Sequence, residues 1–187
     1  MMVRTDADKV LRDIEILSHS RFLPIIGPVK GKYLAETVRK YNVKKVLEIG
    51  ALIGYSAILM ATNLPEDGKI HTVEINPRSA DLAKKNIQKA GFEDKVVIHV
   101  GDALDVIPTI DEEFDMVFLD AAKDEYIDYL KLAEPKLKKG GVVFADNVKM
   151  FASAMKNFLD YVRNSGKYRS EFIDVGFDGD EISVKLF

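Results

Sequence analysis

The sequence predicts a single α/β domain in which a mostly parallel sheet is covered by helices on both faces. From Lys44 onward, short apolar runs rich in β-branched residues alternate with longer amphipathic stretches, a pattern typical of parallel strands joined by helices. The chain has 187 residues, of which 47% are hydrophobic, enough for one packed core and short for two domains. We therefore expect residues 1–187 to form one domain.

The predicted elements follow one another in a simple order. Residues 1–42 contain two helices, over 6–18 and 31–41, that we expect to cover a pocket or form a subunit contact, and residues 43–187 form the sheet core. The first five strands are predicted over residues 45–49, 69–74, 96–100, 114–120 and 141–146. The helices that accompany them are predicted over residues 55–63, 78–90, 103–107, 125–137 and 152–165.

The last two predicted strands, over residues 168–175 and 181–186, are separated by the turn-rich residues 176–180. This pattern indicates a hairpin and an antiparallel edge, which brings the sheet to seven strands.

Composition excludes several classes of function. The formal net charge is −3 and basic residues are spread along the chain, unlike the concentrated basic footprint of a dedicated nucleic-acid binder. The absence of cysteine excludes disulfides, thiolate metal sites and a cysteine nucleophile. The polar N-terminus does not fit a signal peptide, and no apolar run is long enough to span a bilayer. We expect a cytoplasmic protein.

The segment from Val46 to Ser56 carries the strongest local signal. A buried strand runs into a turn with Gly50 and Gly54, and an apolar helix follows. Glycine lets the turn bend tightly and lets a ligand approach the backbone, while the free N–H groups at the helix start attract a carboxylate or phosphate. The spacing differs from the G-x-G-x-x-G of dinucleotide binders, and similar turns also occur in α/β proteins that bind nothing there.

Polar side chains also recur where the predicted strands end, the edge at which open parallel sheets bind ligands. Glu74 lies at the separation from the glycine turn where a carboxylate can accept hydrogen bonds from both ribose hydroxyls, as in nicotinamide-binding proteins. Asp102 and Ala103 fall where an adenine ring would lie, although Asp102 alone could equally be a helix N-cap.

The last two strand ends bring together Asp120, Asp146 and Asn147. Two carboxylates and an amide oxygen suit a hard divalent cation, Mg²⁺ before others, with open positions for a substrate that carries two vicinal oxygens. Lys123 lies three residues beyond Asp120, where its amine could act as a general base, or could be a solvated lysine at a helix start. The three histidines show no ligand spacing.

Together these residues resemble the cation-dependent O-methyltransferase family, which contains catechol and caffeoyl-CoA O-methyltransferases and small microbial relatives. The resemblance runs from about Gly27 to Val148 and is most specific in Asp-x-x-Lys followed by Asp-Asn. It implies a Rossmann-like class I methyltransferase fold with S-adenosylmethionine (SAM) as methyl donor. It also implies Lys123 as the catalytic base.

The resemblance implies roles for the other site residues at the positions that match the family. The segment that includes Glu48, Gly50, Gly54 and Ser56 would hold the methionine end of SAM, with Ser56 on its carboxylate. The other implied SAM-binding positions are Ile26, Glu74, Ile75, Gly101, Asp102, Ala103 and Asp120. The implied metal ligands are Asp120, Asp146 and Asn147.

The chain departs from the family around the acceptor. Catechol methyltransferases follow the first aspartate with a histidine and a tryptophan, whereas this chain has Ala121 and Ala122 and contains no tryptophan. Residues 148–151 pass quickly into a helix without the longer insertion of many relatives, so we expect an open acceptor site or one completed by another subunit. Glu181 could correspond to a carboxylate that contacts the second acceptor hydroxyl.

The sequence therefore predicts a metal-assisted O-methyltransferase acting on a small catechol-like acceptor with two vicinal oxygens. The alternatives are a methyltransferase of a modified tRNA base, a nicotinamide-dependent oxidoreductase and a non-catalytic SAM- or nucleotide-binding protein. The acidic balance weighs against RNA, and the glycine spacing weighs against a nicotinamide cofactor. The family resemblance suggests a homodimer.

Overall fold

The computed structural model describes residues 3–187, so the first two residues of the predicted N-terminal segment lie outside it. Within the described residues the strands are β1 Lys45–Ile49, β2 Lys69–Glu74, β3 Val96–Val100, β4 Phe114–Leu119, β5 Leu137–Ala145, β6 Tyr168–Asp174 and β7 Gly179–Lys185. The α-helices there are α1 Val3–Arg21, α2 Gly27–Lys40, α3 Tyr55–Asn63, α4 Pro77–Lys89, α5 Ala103–Thr109, α6 Tyr126–Ala133 and α7 Lys156–Asn164.

The strands form one sheet with the order β3-β2-β1-β4-β5-β7-β6. Strands β1 to β5 pair in parallel, whereas β7 is antiparallel to both β5 and β6. The predicted fold, with its C-terminal antiparallel hairpin, is confirmed. The strand order reverses between β1 and β4, and this arrangement opens a crevice at their carboxyl ends.

The central strands are buried on both faces, which explains their almost continuous apolar sequences. Val46 and Met116 belong to the core under α1 to α4, while their neighbours Leu47 and Val117 belong to the core under α5 to α7. Successive side chains of a strand alternate between these two cores, so the sheet holds its carboxyl ends in fixed register.

Several element boundaries differ from the sequence prediction: β5 begins at Leu137 instead of residue 141, and α7 begins at Lys156 instead of residue 152. Proline explains two further differences. Helix α2 begins at Gly27, earlier than predicted, because Pro28 is favourable in a first turn. The predicted helix over 125–137 ends at Ala133, where Pro135 turns the chain into a short 3₁₀ segment before β5. Among the described residues, no helix has the length and apolar character required to cross a bilayer.

Candidate active site

A cavity of about 650 Å³ lies at the carboxyl ends of the central strands. The predicted site residues that line it are Ile26, Gly50, Ser56, Glu74, Ile75, Gly101, Asp102, Ala103, Asp120, Lys123 and Asn147. Glu48, Gly54 and Asp146 are adjacent in sequence to lining residues but do not line this cavity themselves. The fold thus brings most of the predicted cofactor residues and the predicted base into one space.

The glycine turn is shaped by close backbone contact. Gly50 has φ +102°, and a Cβ atom there would lie 2.1 Å from the carbonyl oxygen of Asp120. Gly54 has φ +86° and is the N-cap of α3, whose first turn lines the cavity. Glycine adopts this conformation without strain. Both glycines have a backbone conformation that favours glycine. The absence of a side chain at Gly50 also lets the ends of β1 and β4 lie close together at the cavity floor.

Glu48 lies beneath this turn, fully buried. The hydroxyl of Ser56 donates a hydrogen bond to Oε1 of Glu48, and Ser56 itself faces the cavity. Burial raises the pKa of the Glu48 carboxyl to about 7, despite the Ser56 hydrogen bond. Glu48 thus orients Ser56 from behind.

Two acidic side chains, at the end of β2 and just beyond β3, line one side of the cavity. The carboxylate of Glu74 accepts hydrogen bonds from the backbone N–H of Leu52, at 2.7 Å, and of Asn76, at 2.9 Å. Asp102 is the N-cap of α5 and accepts from the N–H of Leu104 at 2.9 Å. Asp102 is therefore a helix N-cap, as the sequence allowed, and it also lines the cavity.

Lys123 is held between two oxygen atoms. Its Nζ donates to Oδ1 of Asp120 at 2.7 Å and to the hydroxyl of Tyr126 at 2.8 Å. The Tyr126 hydroxyl in turn donates to the carbonyl of Leu119 at 2.9 Å. Burial and the nearby charge of Asp146 raise the pKa of Asp120 to about 6, although Lys123 opposes this shift.

Asp146 and Asn147 occupy different depths at the end of β5. The Asp146 side chain is 2% exposed and accepts a hydrogen bond from the ammonium of Lys30, a residue of α2. Asn147 lines the cavity with a left-handed backbone, φ 63°. Sequence reasoning missed Lys30, because nothing local marks a lysine that pairs with a carboxylate 116 positions away.

Another part of the cavity wall is largely apolar. It includes Phe22, Met150 and Phe151, besides Ala121 and Ala122. The sequence analysis did not identify Phe22, Met150 or Phe151 as site residues. Only their apolar character next to predicted helices could have indicated them.

Glu181, the candidate for a second acceptor contact, lies elsewhere. Its carboxylate is 1% exposed and forms two hydrogen bonds with the guanidinium of Arg163, at 2.8 and 2.7 Å. Glu181 does not line the cavity, so the structure does not support that assignment.

This arrangement defines a Rossmann-like α/β protein with a crevice of about 650 Å³ at the strand-order switch and a carboxylate and lysine pair in its wall. Residues 6–164 match a family model described as O-methyltransferase. The match covers most of the chain, which therefore belongs to this O-methyltransferase family.

Individual relatives agree with this assignment. The chain is 39% identical over 175 residues to catechol O-methyltransferase B of Danio rerio, covering 89% of this chain and 66% of the relative. It is 40% identical over 127 residues to a catechol O-methyltransferase of Niastella koreensis, covering 66% of this chain and 58% of the relative. In both cases the matched region spans less than two thirds of the relative.

A solved structure supports the fold over nearly the full chain. The crystal structure of an O-methyltransferase from Bacillus cereus in complex with SAH superposes with a TM-score of 0.86 at 28% identity. The match covers 95% of this chain and 90% of that protein.

Proposed function

We propose that this protein is a SAM-dependent O-methyltransferase that uses a divalent cation and methylates a hydroxyl of a small catechol-like acceptor. One observation carries the proposal: the nucleoside side of the cavity, with Glu74 and Ser56, is continuous with the Asp120, Lys123 and Asn147 side. Donor and acceptor would therefore meet within one cavity.

The residues present fit SAM. Glu74 keeps its carboxylate fixed by two backbone N–H groups at the ribose position, and the glycine turn leaves the backbone of α3 open to a carboxylate. SAM bound there would supply the methyl group. The B. cereus relative, which is a complex with SAH, supports this choice of donor.

The donor set also fits a hard cation. Asp146 is buried and Asp120 is 16% exposed, and they lie close enough for the charge of Asp146 to raise the pKa of Asp120, a repulsion that a cation would relieve. Within residues 3–187, no three histidine or acidic side chains form a metal cluster, so the set depends on the amide oxygen of Asn147. A cation held there would lower the pKa of an acceptor hydroxyl.

Lys123 would then receive the hydroxyl proton. To do so it must reach the acceptor as a free amine, and the Tyr126 hydroxyl and Asp120 carboxylate fix its Nζ at the cavity wall. Proton transfer over a fixed short distance lowers the barrier to attack on the methyl group.

The acceptor wall favours a flat and uncharged ligand. Phe22, Met150 and Phe151 offer apolar contacts, and the two alanines after Asp120 leave room for a ring with substituents. This composition supports a catechol-like acceptor over a modified tRNA base, whose phosphates would need a basic surface. The nicotinamide alternative has no support from the family.

The first test is calorimetric titration of SAM into the purified protein, followed by turnover on vicinal diphenols with and without EDTA. We expect SAM binding in both conditions and methyl transfer that EDTA abolishes and Mg²⁺ restores. Absence of SAM binding would overturn the proposal, and SAM binding without diphenol turnover would direct the search to RNA acceptors.

A variant separates the two halves of the site. Asp146→Ala should abolish cation-dependent turnover and leave SAM affinity unchanged, because the Asp146 carboxylate is bonded to Lys30 and the N–H of Asn147 and not to Glu74 or Ser56. Equal loss of both would contradict this division of roles. The homodimer and the cytoplasmic location stay predictions, the first testable by analytical ultracentrifugation.

A further inference from the structure

A buried ionic cluster lies directly behind the candidate cation ligands. The ammonium of Lys30 is bonded to Asp146 and lies 2.8 Å from Oδ2 of Asp178, a residue of the turn between β6 and β7. Oδ1 of Asp180 is 4.0 Å from the same ammonium. All three carboxylates are at most 2% exposed, and Lys30 supplies one positive charge, bonded to Asp146 and Asp178, where water does not reach.

Asp178 also determines how Asn147 is oriented. The side-chain amide of Asn147 donates from Nδ2 to Oδ2 of Asp178 at 2.7 Å. Because the nitrogen is used in this bond, the amide oxygen is left for the cavity that Asn147 lines. A rotation of the amide by 180° would lose the bond and place a donor, which cannot bind a cation, toward the cavity.

The same carboxylate fixes the backbone around Asn147. Oδ1 of Asp178 accepts a hydrogen bond from the N–H of Met150 at 3.1 Å, and the N–H of Val148 donates to the carbonyl of Gly179 at 2.9 Å. These bonds hold the left-handed conformation of Asn147, which costs free energy for a residue other than glycine.

We propose that Asp178, held by Lys30, is a positioning residue that sets the affinity of the candidate cation site by orienting Asn147. The inference deepens the proposed function and rests on its cation. The C-terminal hairpin would then contribute to the site through Asp178 although it does not reach the cavity. Partners behind metal ligands commonly change metal affinity by about 10–100-fold when removed.

The test measures Mn²⁺ binding to the full chain by electron paramagnetic resonance, with SAM affinity measured separately by calorimetry. We expect Asp178→Ala to weaken Mn²⁺ binding by about 10–100-fold and to leave SAM affinity within about twofold. Glu171→Ala is the matched control, since it removes an exposed carboxylate from β6 of the same hairpin, and Mn²⁺ binding should not change.

A second variant separates orientation from charge and guards against misfolding. Asp178→Asn removes the negative charge but keeps an oxygen that can accept the hydrogen bond from Nδ2 of Asn147. Mn²⁺ binding should therefore weaken less than in Asp178→Ala. In an Asn147→Ala background, Asp178→Ala should weaken it little further, because the two residues act through the same ligand.

The outcomes distinguish this inference from the function on which it rests. If the unmodified protein binds Mn²⁺ and both Asp178 variants bind it equally well, the positioning role is wrong and the proposed function stands. If the unmodified protein does not bind Mn²⁺, the cation is wrong and the positioning role falls with it.

Discussion

Lys123 and Asp120 form one ion pair at the cavity wall, with Nζ 2.7 Å from Oδ1. The predicted proton acceptor is thus bonded to a predicted cation ligand. A cation that takes up the Asp120 carboxylate would weaken this pair and leave the amine to the acceptor. Through this pair, binding of a cation would release the Lys123 amine from Asp120.

Replacing Lys123 by methionine should reduce kcat by about 10²–10⁴-fold, the usual contribution of a positioned general base. SAM affinity should not change, because the amine is bonded to Asp120 and Tyr126 and not to Glu74 or Ser56. Lys131→Met, on the exposed surface of α6, is the control and should retain full turnover. A Lys123→Met protein with unchanged kcat on a diphenol would show that another group accepts the proton.

Glu74→Gln should weaken SAM binding by about tenfold or more, since the charged acceptor of two backbone bonds becomes an amide that can satisfy one of them. The loss should appear in the calorimetric Kd, with Mn²⁺ affinity unchanged. Glu93→Gln, an exposed change of the same type, should bind SAM normally. Equal SAM affinity in Glu74→Gln and Glu93→Gln would show that Glu74 does not bind the ribose.

The sequence predicted the sheet and the presence of Glu74 and Asp102 in one cavity wall because both depend on local patterns. Apolar runs identify the strands, Glu74 ends β2, and Asp102 lies two residues beyond β3. The surroundings of Asp146 could not be predicted in this way. Its contacts with Lys30 and the β6–β7 turn depend on how α2 and the hairpin pack against β5, and no short-range pattern records that packing.

Glu48→Gln tests the buried carboxyl by its pH dependence. Its pKa rises from 4.5 to about 7 through burial, so the folded state retains a proton that the unfolded chain has released. The unmodified protein should therefore lose stability relative to Glu48→Gln as the pH rises from about 4.5 to 7, by about 3 kcal/mol at most. The two should be equally stable at lower pH.

Urea unfolding at pH 5 and pH 8 measures this difference, with the exposed change Glu66→Gln as control. The control should show the same pH dependence as the unmodified protein. A Glu48→Gln advantage of the same size at both pH values would mean that the carboxyl is not the titrating group.

Gly50→Ala should disrupt the cavity floor, because its Cβ would lie 2.1 Å from the carbonyl oxygen of Asp120 and 2.8 Å from the carbonyl carbon. Relief of that contact requires β1 and β4 to separate at the point where Asp120 enters the site. Both SAM and Mn²⁺ affinity should fall together with Tm, unlike the separate losses expected for side-chain variants.

Gly140→Ala isolates the cost of the backbone conformation alone. Gly140 also has a positive φ, +77°, but a Cβ there meets nothing within 4 Å. It should lower the free energy of unfolding by about 1–2 kcal/mol and leave both ligand affinities unchanged. The two variants are compared by the fall in Tm. If Gly50→Ala lowers Tm no more than Gly140→Ala does, the turn can move away from Asp120, and that contact is not the reason for glycine at position 50.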